Sequence, residues 1–286
     1  MEPFMVRERS DAKEPSLFLL RVWMDRMPGL TAGITGREGG VSGEPWKSLN
    51  CGLHVGDDDE AVIRNRRAVA EAAGWPFEAW TCAEQVHGDA VYRVERADRG
   101  RGRRARSDAI QDTDALMTDV PGVLLTSFYA DCVPLYFVDP VRRAAALAHA
   151  GWKGTVAEIA CKTVEAMAEA YGSEPAGLLG AIGPSIGACC YEVDGPVIAK
   201  VSPLAESLAE AAGTSAGKMI APLPDGKAML NLKEINRQIM IKAGILPTNI
   251  ELTEICTGCG RDSFFSHRME NGAAGRMASF IGFQER

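Results

Sequence analysis

Ala130-Asp-Cys-Val-Pro-Leu-Tyr-Phe-Val-Asp-Pro140, followed by Val-Arg-Arg and then Ala144-Ala-Ala-Leu-Ala-His-Ala150, is the stretch on which the reading of this chain turns. Two short apolar runs, Val133 to Val138 and Ala144 to Ala148, flank Asp139-Pro140. Proline fixes its own φ and pushes its predecessor out of the helical region, so the pair marks a turn and the spacing predicts a β-hairpin. Cys132 then stands at the mouth of the first strand and His149 at the end of the second, close in space. Immediately afterwards Gly151-Trp-Lys-Gly154 turns the chain, and Thr155-x-x-Glu158 has the pattern of a capping box that opens a helix. A thiol, an imidazole, a cation and a helix N-terminus are expected in one small region.

Outward from the hairpin, strands and helices alternate. Apolar or small residues at Val156, Ile159, Ala160, Thr163, Val164, Met167 and Tyr171 form a helical stripe suited to packing on a sheet. Val91 to Val94, Val123 to Tyr129, Leu178 to Ile182, Ile250 to Ile255 and the segment after Arg276 read as strands. Asp57-x-x-Glu60 predicts a second capping box before a helix that Gly74 stops, and Asn231 caps a third through Ala243. Asp194 to Ala212 reads as helix that Ser202-Pro203 splits. No repeat or linker divides the chain, so one α/β domain with interleaved elements is expected over 16–286. Residues 1–15 are polar and expected to fray, with order beginning at Leu17.

The bulk properties exclude several classes. The chain has 286 residues, is 46% hydrophobic and 24% charged, and carries a formal charge of −7. That balance suits a soluble globular protein and argues against general nucleic-acid or anionic-membrane binding, so an anionic ligand needs a local site. The N-terminus has no apolar h-region and no uncharged run is long enough to span a bilayer, which predicts a cytoplasmic protein. Eight scattered cysteines in a chain of this size are expected as thiols. The arginines between Arg93 and Arg106 lack interleaved aromatics and predict a solvated, mobile loop over about 93–111.

Two constellations compete for chemistry. Cys256-x-x-Cys259 resembles half of a zinc or redox motif, but a structural zinc site needs four ligands and no second such pair is visible. The better grouping is His87, Cys132 and His149, three soft or borderline ligands that suit tetrahedral Zn²⁺ with one position open. Its rival is a metal-free Cys132-His149 dyad in which the imidazole activates the thiolate for attack on an acyl carbon.

Further matching pieces stand at Gly39-Gly-Val-Ser42 with Ser48-Leu-Asn50, His54-Val-Gly-Asp-Asp, Gln85-Val-His-Gly, Asp114-Ala-Leu-Met-Thr and Ala130-Asp-Cys. Others are His149-Ala-Gly-Trp-Lys-Gly, Ile182-Gly-Pro-Ser-Ile-Gly with Cys190-Tyr-Glu-Val, and Phe264-Phe-Ser-His-Arg268 with Gly275-Arg276. In this order the chain resembles the purine nucleoside phosphorylases formerly called polyphenol oxidases or laccase-domain proteins. The resemblance implies a layered α/β domain with mixed sheets, similar to the cysteine-deamidase-like fold, and zinc held by His87, Cys132 and His149. It also implies phosphorolysis of adenosine, inosine, guanosine and methylthioadenosine, with adenosine deamination as a side activity. The older name implies copper, but four histidines cannot build the centres of a true laccase. This chain departs from the family pattern at Arg268-Met269, where two basic residues are usual, and in the arginine-rich segment, an apparent insertion.

Phosphorolysis sends phosphate to an anomeric carbon, so the site must hold a dianion. Ser42, Asn50, Gln85, Lys153, Arg268 and Arg276 are the expected substrate and phosphate contacts. Cys132, His149 and Asp131 are the expected catalytic residues, with Glu84 an alternative carboxylate for deamination. Partners are then a small nucleoside and phosphate. An amide or peptide hydrolase acting on cell-wall precursors and a non-catalytic zinc-stabilised interaction protein are the alternatives.

Overall fold

The computed structural model describes residues 2–285 and has the expected α/β architecture with mixed sheets packed by helices. The strands begin with β1 (Phe4–Val6), β2 (Leu17–Leu20), β3 (Leu30–Thr35), β4 (Trp80–Cys82), β5 (Val91–Arg93), β6 (Ala115–Thr118), β7 (Leu124–Tyr129) and β8 (Val133–Asp139). They continue as β9 (Ala144–Ala150), β10 (Leu179–Ile182), β11 (Glu192–Val193), β12 (Ile220–Pro222), β13 (Ala228–Leu230), β14 (Ile250–Leu252) and β15 (Met277–Phe283). The helices are α1 (Arg21–Met24), α2 (Asp59–Ala72), α3 (Trp152–Val156), α4 (Ile159–Tyr171), α5 (Gly195–Ala212) and α6 (Leu232–Lys242). One six-stranded sheet runs β1-β2-β3-β15-β7-β4, a second runs β14-β10-β8-β9-β6-β5, and β11-β13-β12 form a small third. Parallel pairs β4–β7, β5–β6 and β10–β14 make both large sheets mixed.

The hairpin forms at the centre of the second sheet because its side chains alternate between two cores. Val133, Leu135 and Phe137 of β8, with Ala144, Ala146 and Ala148 of β9, pack toward the helices, beside Ile159, Val164 and Met167 of α4. Tyr136, Val138, Ala145 and Leu147 point the other way, into the space between the large sheets. The period of two thus becomes two buried faces, each large side chain contributing about 1.5–3 kcal/mol. A third core lies on the far side of the first sheet, where Phe128, Phe280 and Leu19 meet α2. The turn is an Asx turn: Asp139 Oδ1 accepts from the N–H groups of Val141 and Arg142, both at 2.9 Å. The register pairs Val133 with Ala150 and Pro134 with His149.

Several local expectations need correction. Order begins before Leu17, since β1 pairs with β2, Phe4 is 1% exposed, and its ring lies 5.5 Å from that of Tyr136. One buried aromatic outweighs the polar composition around it. In the 93–111 segment residues 104–108 are solvent-exposed as expected, while other positions are anchored to the fold. Buried Arg66 donates to the carbonyls of Cys51, Gly102 and Arg103 at 2.7–3.2 Å, and Arg101 pairs with Asp98. Gly102, at φ +76, leaves no room for a Cβ against Cys82.

The helix after the hairpin starts at Trp152, not Thr155, and breaks at Glu158, which sits at φ 56 and pairs with Lys242 instead of closing a capping box. Asp58, one residue later than expected, caps α2. Helix α5 runs unbroken through Pro203; the carbonyl that proline strands belongs to Ala199, which is exposed to solvent. Asn231 caps α6 as expected, accepting from Glu234 N–H at 3.1 Å.

Candidate active site

Ala145, Leu147 and His149 share one face of β9, and His149 ends the inter-sheet core, 3% exposed, with its ring 5.4 Å from that of Tyr129. Its Nδ1 lies 2.8 Å from Oδ1 of Asp114, the residue before β6. The same buried carboxylate accepts from the backbone N–H groups of Val86 (3.1 Å), His87 (3.0 Å) and Gly88 (2.7 Å). Asp114 therefore does two things. It fixes the proton of His149 on Nδ1 and frees Nε2, and it folds the turn that carries His87.

Cys132 follows directly from β7 through Ala130 and Asp131. Its Sγ is 3.9 Å from His87 Nε2, the two histidine rings are 4.8 Å apart at 78°, and the candidate ligand atoms of His87, Cys132 and His149 all lie within 4.8 Å of one another. A Cβ on Gly151 would stand 3.1 Å from both the Cys132 sulfur and His87 Cδ2, so the glycine lets the chain pass against the trio. His87 (φ 61) and Asp131 (φ 83) are held in the left-handed region, which few residues other than glycine occupy.

Charge follows geometry. Burial alone would raise the Cys132 thiol, but the charge and hydrogen bonding of His149, joined by His87, outweigh it and bring the pKa down to about 6. Burial alone would lower His149; Cys132 and Asp114 reverse that and raise it to about 9. Burial would raise Asp114 too, but the His149 bond and charge and the turn's N–H groups leave it lowered. His87, Cys132 and His149 thus converge, and once the proton that this pairing puts on His149 Nε2 is displaced, a thiolate and two imidazoles can hold a metal ion.

Two adjoining clefts, of about 220 and 250 Å³, open over the trio. They share His87, Ala130, Cys132 and His267. Of the expected contacts, Arg268 and Asp131 line the first and Gln85 and Arg276 the second. Ser42, Asn50 and Lys153 are not among the lining residues. Ser42 is buried and accepts from Asn65, Asn50 is buried and accepts from the N–H of Arg276 at 2.9 Å, and Lys153 is exposed beside Trp152. Asp131, expected to carry protons, has both oxygens engaged, by Thr257 Oγ1 and by the N–H of Arg268, each at 2.7 Å. Glu84 pairs with Arg106 at 2.7 Å on a neighbouring pocket.

Sequence reasoning missed the role of Asp114, although its motif was noticed, and missed His267, Tyr191, His54 and Phe128 on the walls. It also found no second cysteine pair for Cys256 and Cys259. That reading is overturned: adjacent Cys189 and Cys190 converge on them, the four sulfurs lying within 4.8 Å of one another. Among the described residues no helix is long and apolar enough to cross a membrane.

Comparison with known proteins bears on the same site. A family model described as multi-copper polyphenol oxidoreductase laccase matches residues 31–284. A Geobacillus stearothermophilus protein named purine nucleoside phosphorylase YlmD is 42% identical over 271 residues, 93% of this chain and 94% of that protein. A Bacillus subtilis protein of the same name is 39% identical over 274 residues, covering 95% and 96%. The crystal structure of the Bacillus licheniformis hypothetical protein YfiH is similar with a TM-score of 0.89 at 41% identity, covering 99% of this chain and 100% of that one.

Proposed function

The chain belongs to the family described as multi-copper polyphenol oxidoreductase laccase, and on that premise we propose that it is a zinc-dependent purine nucleoside phosphorylase acting on adenosine, inosine, guanosine and methylthioadenosine. The observation that carries the reading is the convergence of His87, Cys132 and His149 beneath clefts lined by two arginines, in a chain whose relatives bear that name. Zinc fits the donor set, two imidazoles and a thiolate against a glycine that leaves space for them, and His87, Cys132 and His149 would hold it. Four histidines in the whole chain are too few for multicopper centres, whatever the family description. When bound, zinc supplies a Lewis acid toward a phosphate or sugar oxygen.

In this proposal Arg268 and Arg276 hold the phosphate dianion. Arg268 is aimed by its backbone bond to Asp131, by Nη1 donating to Glu192 O at 2.5 Å, and by stacking 5.0 Å over Tyr191. Arg276 is anchored through its N–H to Asn50. A phosphate oxygen forms a bond to the anomeric carbon as the bond from that carbon to the purine nitrogen breaks, through an oxocarbenium-like transition state. The bonding pair leaves with the purine, which takes a proton; His267, on the wall both clefts share, is the donor we assign. Tyr191, whose pKa burial pushes up to about 12, stays a neutral phenol that can flank the purine and donate a hydrogen bond. Deamination of adenosine would need a carboxylate to carry the proton, and these clefts support it less well than phosphorolysis: Asp131, on the first wall, is spent on positioning Arg268, and Glu84 lies on the neighbouring pocket.

The test is release of hypoxanthine from inosine with and without phosphate, together with metal analysis. Phosphate-dependent release with formation of ribose 1-phosphate, lost in Cys132→Ala along with zinc at this site, is the expected outcome. Equal release without phosphate overturns it. Covalent trapping of an amide substrate on Cys132 would favour the hydrolase reading, which the lowered pKa of that thiol keeps in view.

A further inference from the structure

We propose that Cys189, Cys190, Cys256 and Cys259 form a second metal site, a closed four-thiolate Zn²⁺ centre distinct from the His87–Cys132–His149 trio. Two tight turns bring the sulfurs together. One, Gly187 to Tyr191, is closed by Cys190 N–H and Tyr191 N–H donating to Gly187 O at 3.0 and 3.1 Å. The other, Cys256 to Gly260, is closed by Gly260 N–H donating to Cys256 O at 2.9 Å. A parallel bridge between Ser185 and Cys256, with Thr257 N–H on Ser185 O at 3.1 Å, sets the turns side by side. A Cβ on Gly258 would come within 2.9 Å of Cys190 Cβ, so glycine there permits the approach.

The spacing matches one ion better than its rivals. Zn–S bonds of about 2.3 Å arranged tetrahedrally put sulfurs about 3.8 Å apart. Here the Cys259 sulfur lies 3.5 Å from that of Cys189 and 3.4 Å from that of Cys190, and all four lie within 4.8 Å of one another. A disulfide joins two sulfurs, whereas Cys259 stands almost equally near two partners and all four are free. An iron–sulfur cluster puts its own atoms between the thiolates and needs a wider cage.

Two neighbours favour a thiolate at Cys256. Gly187 N–H donates to Cys256 Sγ at 3.1 Å. The ammonium of buried Lys233 donates to Thr253 O at 3.2 Å and Ile255 O at 2.9 Å, next to Cys256, and supplies positive charge beside a four-thiolate centre that would carry two negative charges. Cys189 and Cys259 reach solvent, which gives an ion a way in.

The centre stands behind one wall of the clefts. Thr257, between the two C-terminal cysteines, bonds Asp131, and Tyr191, next after Cys190, carries the stacked Arg268. A closed zinc here would clamp two turns that meet the active-site lining, with a structural rather than catalytic task.

The test counts metal in protein purified under reducing conditions with Zn²⁺ present. Cys132→Ser, which disables the other site, is expected to keep one equivalent of zinc, and its Co²⁺-substituted form to show the sulfur-to-cobalt charge-transfer bands of a four-thiolate site. Cys256→Ser with Cys259→Ser in that background is expected to lose both, while circular dichroism confirms that the chain is folded. The proposal is overturned if the Cys132→Ser protein holds no zinc and shows no such bands, if removing the two cysteines changes neither, or if mass spectrometry finds a disulfide among the four in freshly purified protein. Because this count is made with the trio disabled, it is independent of the phosphorylase assay.

Discussion

Asp114→Asn is the sharpest perturbation of the site, because it alters no candidate ligand and no cleft-lining residue. Oδ1 of Asp114 receives His149 Nδ1 and the N–H of His87, while Oδ2 receives the N–H groups of Val86 and Gly88. An asparagine side chain keeps one oxygen and turns the other into a donor, so two of these four donors face an NH₂ group. At about 1–3 kcal/mol for each donor left unmatched, the upper range is roughly 2–6 kcal/mol, and water reaching the half-exposed 86–88 turn brings the expected loss toward the lower end. If the amide presents its donor to His149, the imidazole proton is no longer fixed on Nδ1; if it turns the other way, the His87 turn loosens. Either choice degrades a ligand. Loss of a carboxylate supporting a metal-bound histidine typically weakens binding 10–100-fold, about 1.4–2.8 kcal/mol. A zinc competition titration against a chromophoric chelator, run beside urea unfolding, measures both. Reduced stability with zinc affinity equal to wild type would refute the reasoning, since Asp114 would then serve the fold alone.

Two further outcomes follow from the geometry. In metal-stripped protein the Cys132 thiolate is the prevailing form above its pKa of about 6 and is lost as pH falls through that value. Iodoacetamide labelling of Cys132 is therefore expected to rise with a midpoint near pH 6, and added Zn²⁺ to suppress it; a midpoint near that of an ordinary thiol contradicts the assigned role of His149. Phe4→Ala empties a fully buried site between the large sheets and is expected to cost about 3–5 kcal/mol by urea unfolding. No change in the urea midpoint would mean that β1 is not part of the core.

What could be read from the sequence was mostly local. The hairpin was legible because turn chemistry and alternation both act within a few residues, and the α4 stripe for the same reason. His87, Cys132 and His149 could be grouped by ligand type, and the family resemblance supplied the same set. Asp114 could not be given its role, because that depends on β6 lying against β9, with Ala115 opposite Ala148, so that the preceding residue reaches the next one along β9. The second cysteine pair escaped because a search for Cys-x-x-Cys does not see adjacent cysteines, and only the bridge at Ser185 brings them into range. Ser42 and Asn50 misled in the opposite direction. Polar groups in a glycine-rich loop look available to a ligand, but Asn65 and the backbone of Arg276 already occupy them.

The same comparison shows how a site made of distant pieces is held rigid. Two buried aspartates each accept from more than one partner: Asp114 joins the His87 turn to His149, and Asp131 ties Thr257 and the backbone of Arg268 to the segment that carries Cys132. Both arrangements carry strain, since His87 and Asp131 adopt positive φ at a cost of roughly 1–3 kcal/mol each. Charged hydrogen bonds of 2.7–3.1 Å, at about 1.5–3 kcal/mol apiece, offset that cost. The geometry of the trio is thus determined by residues outside it.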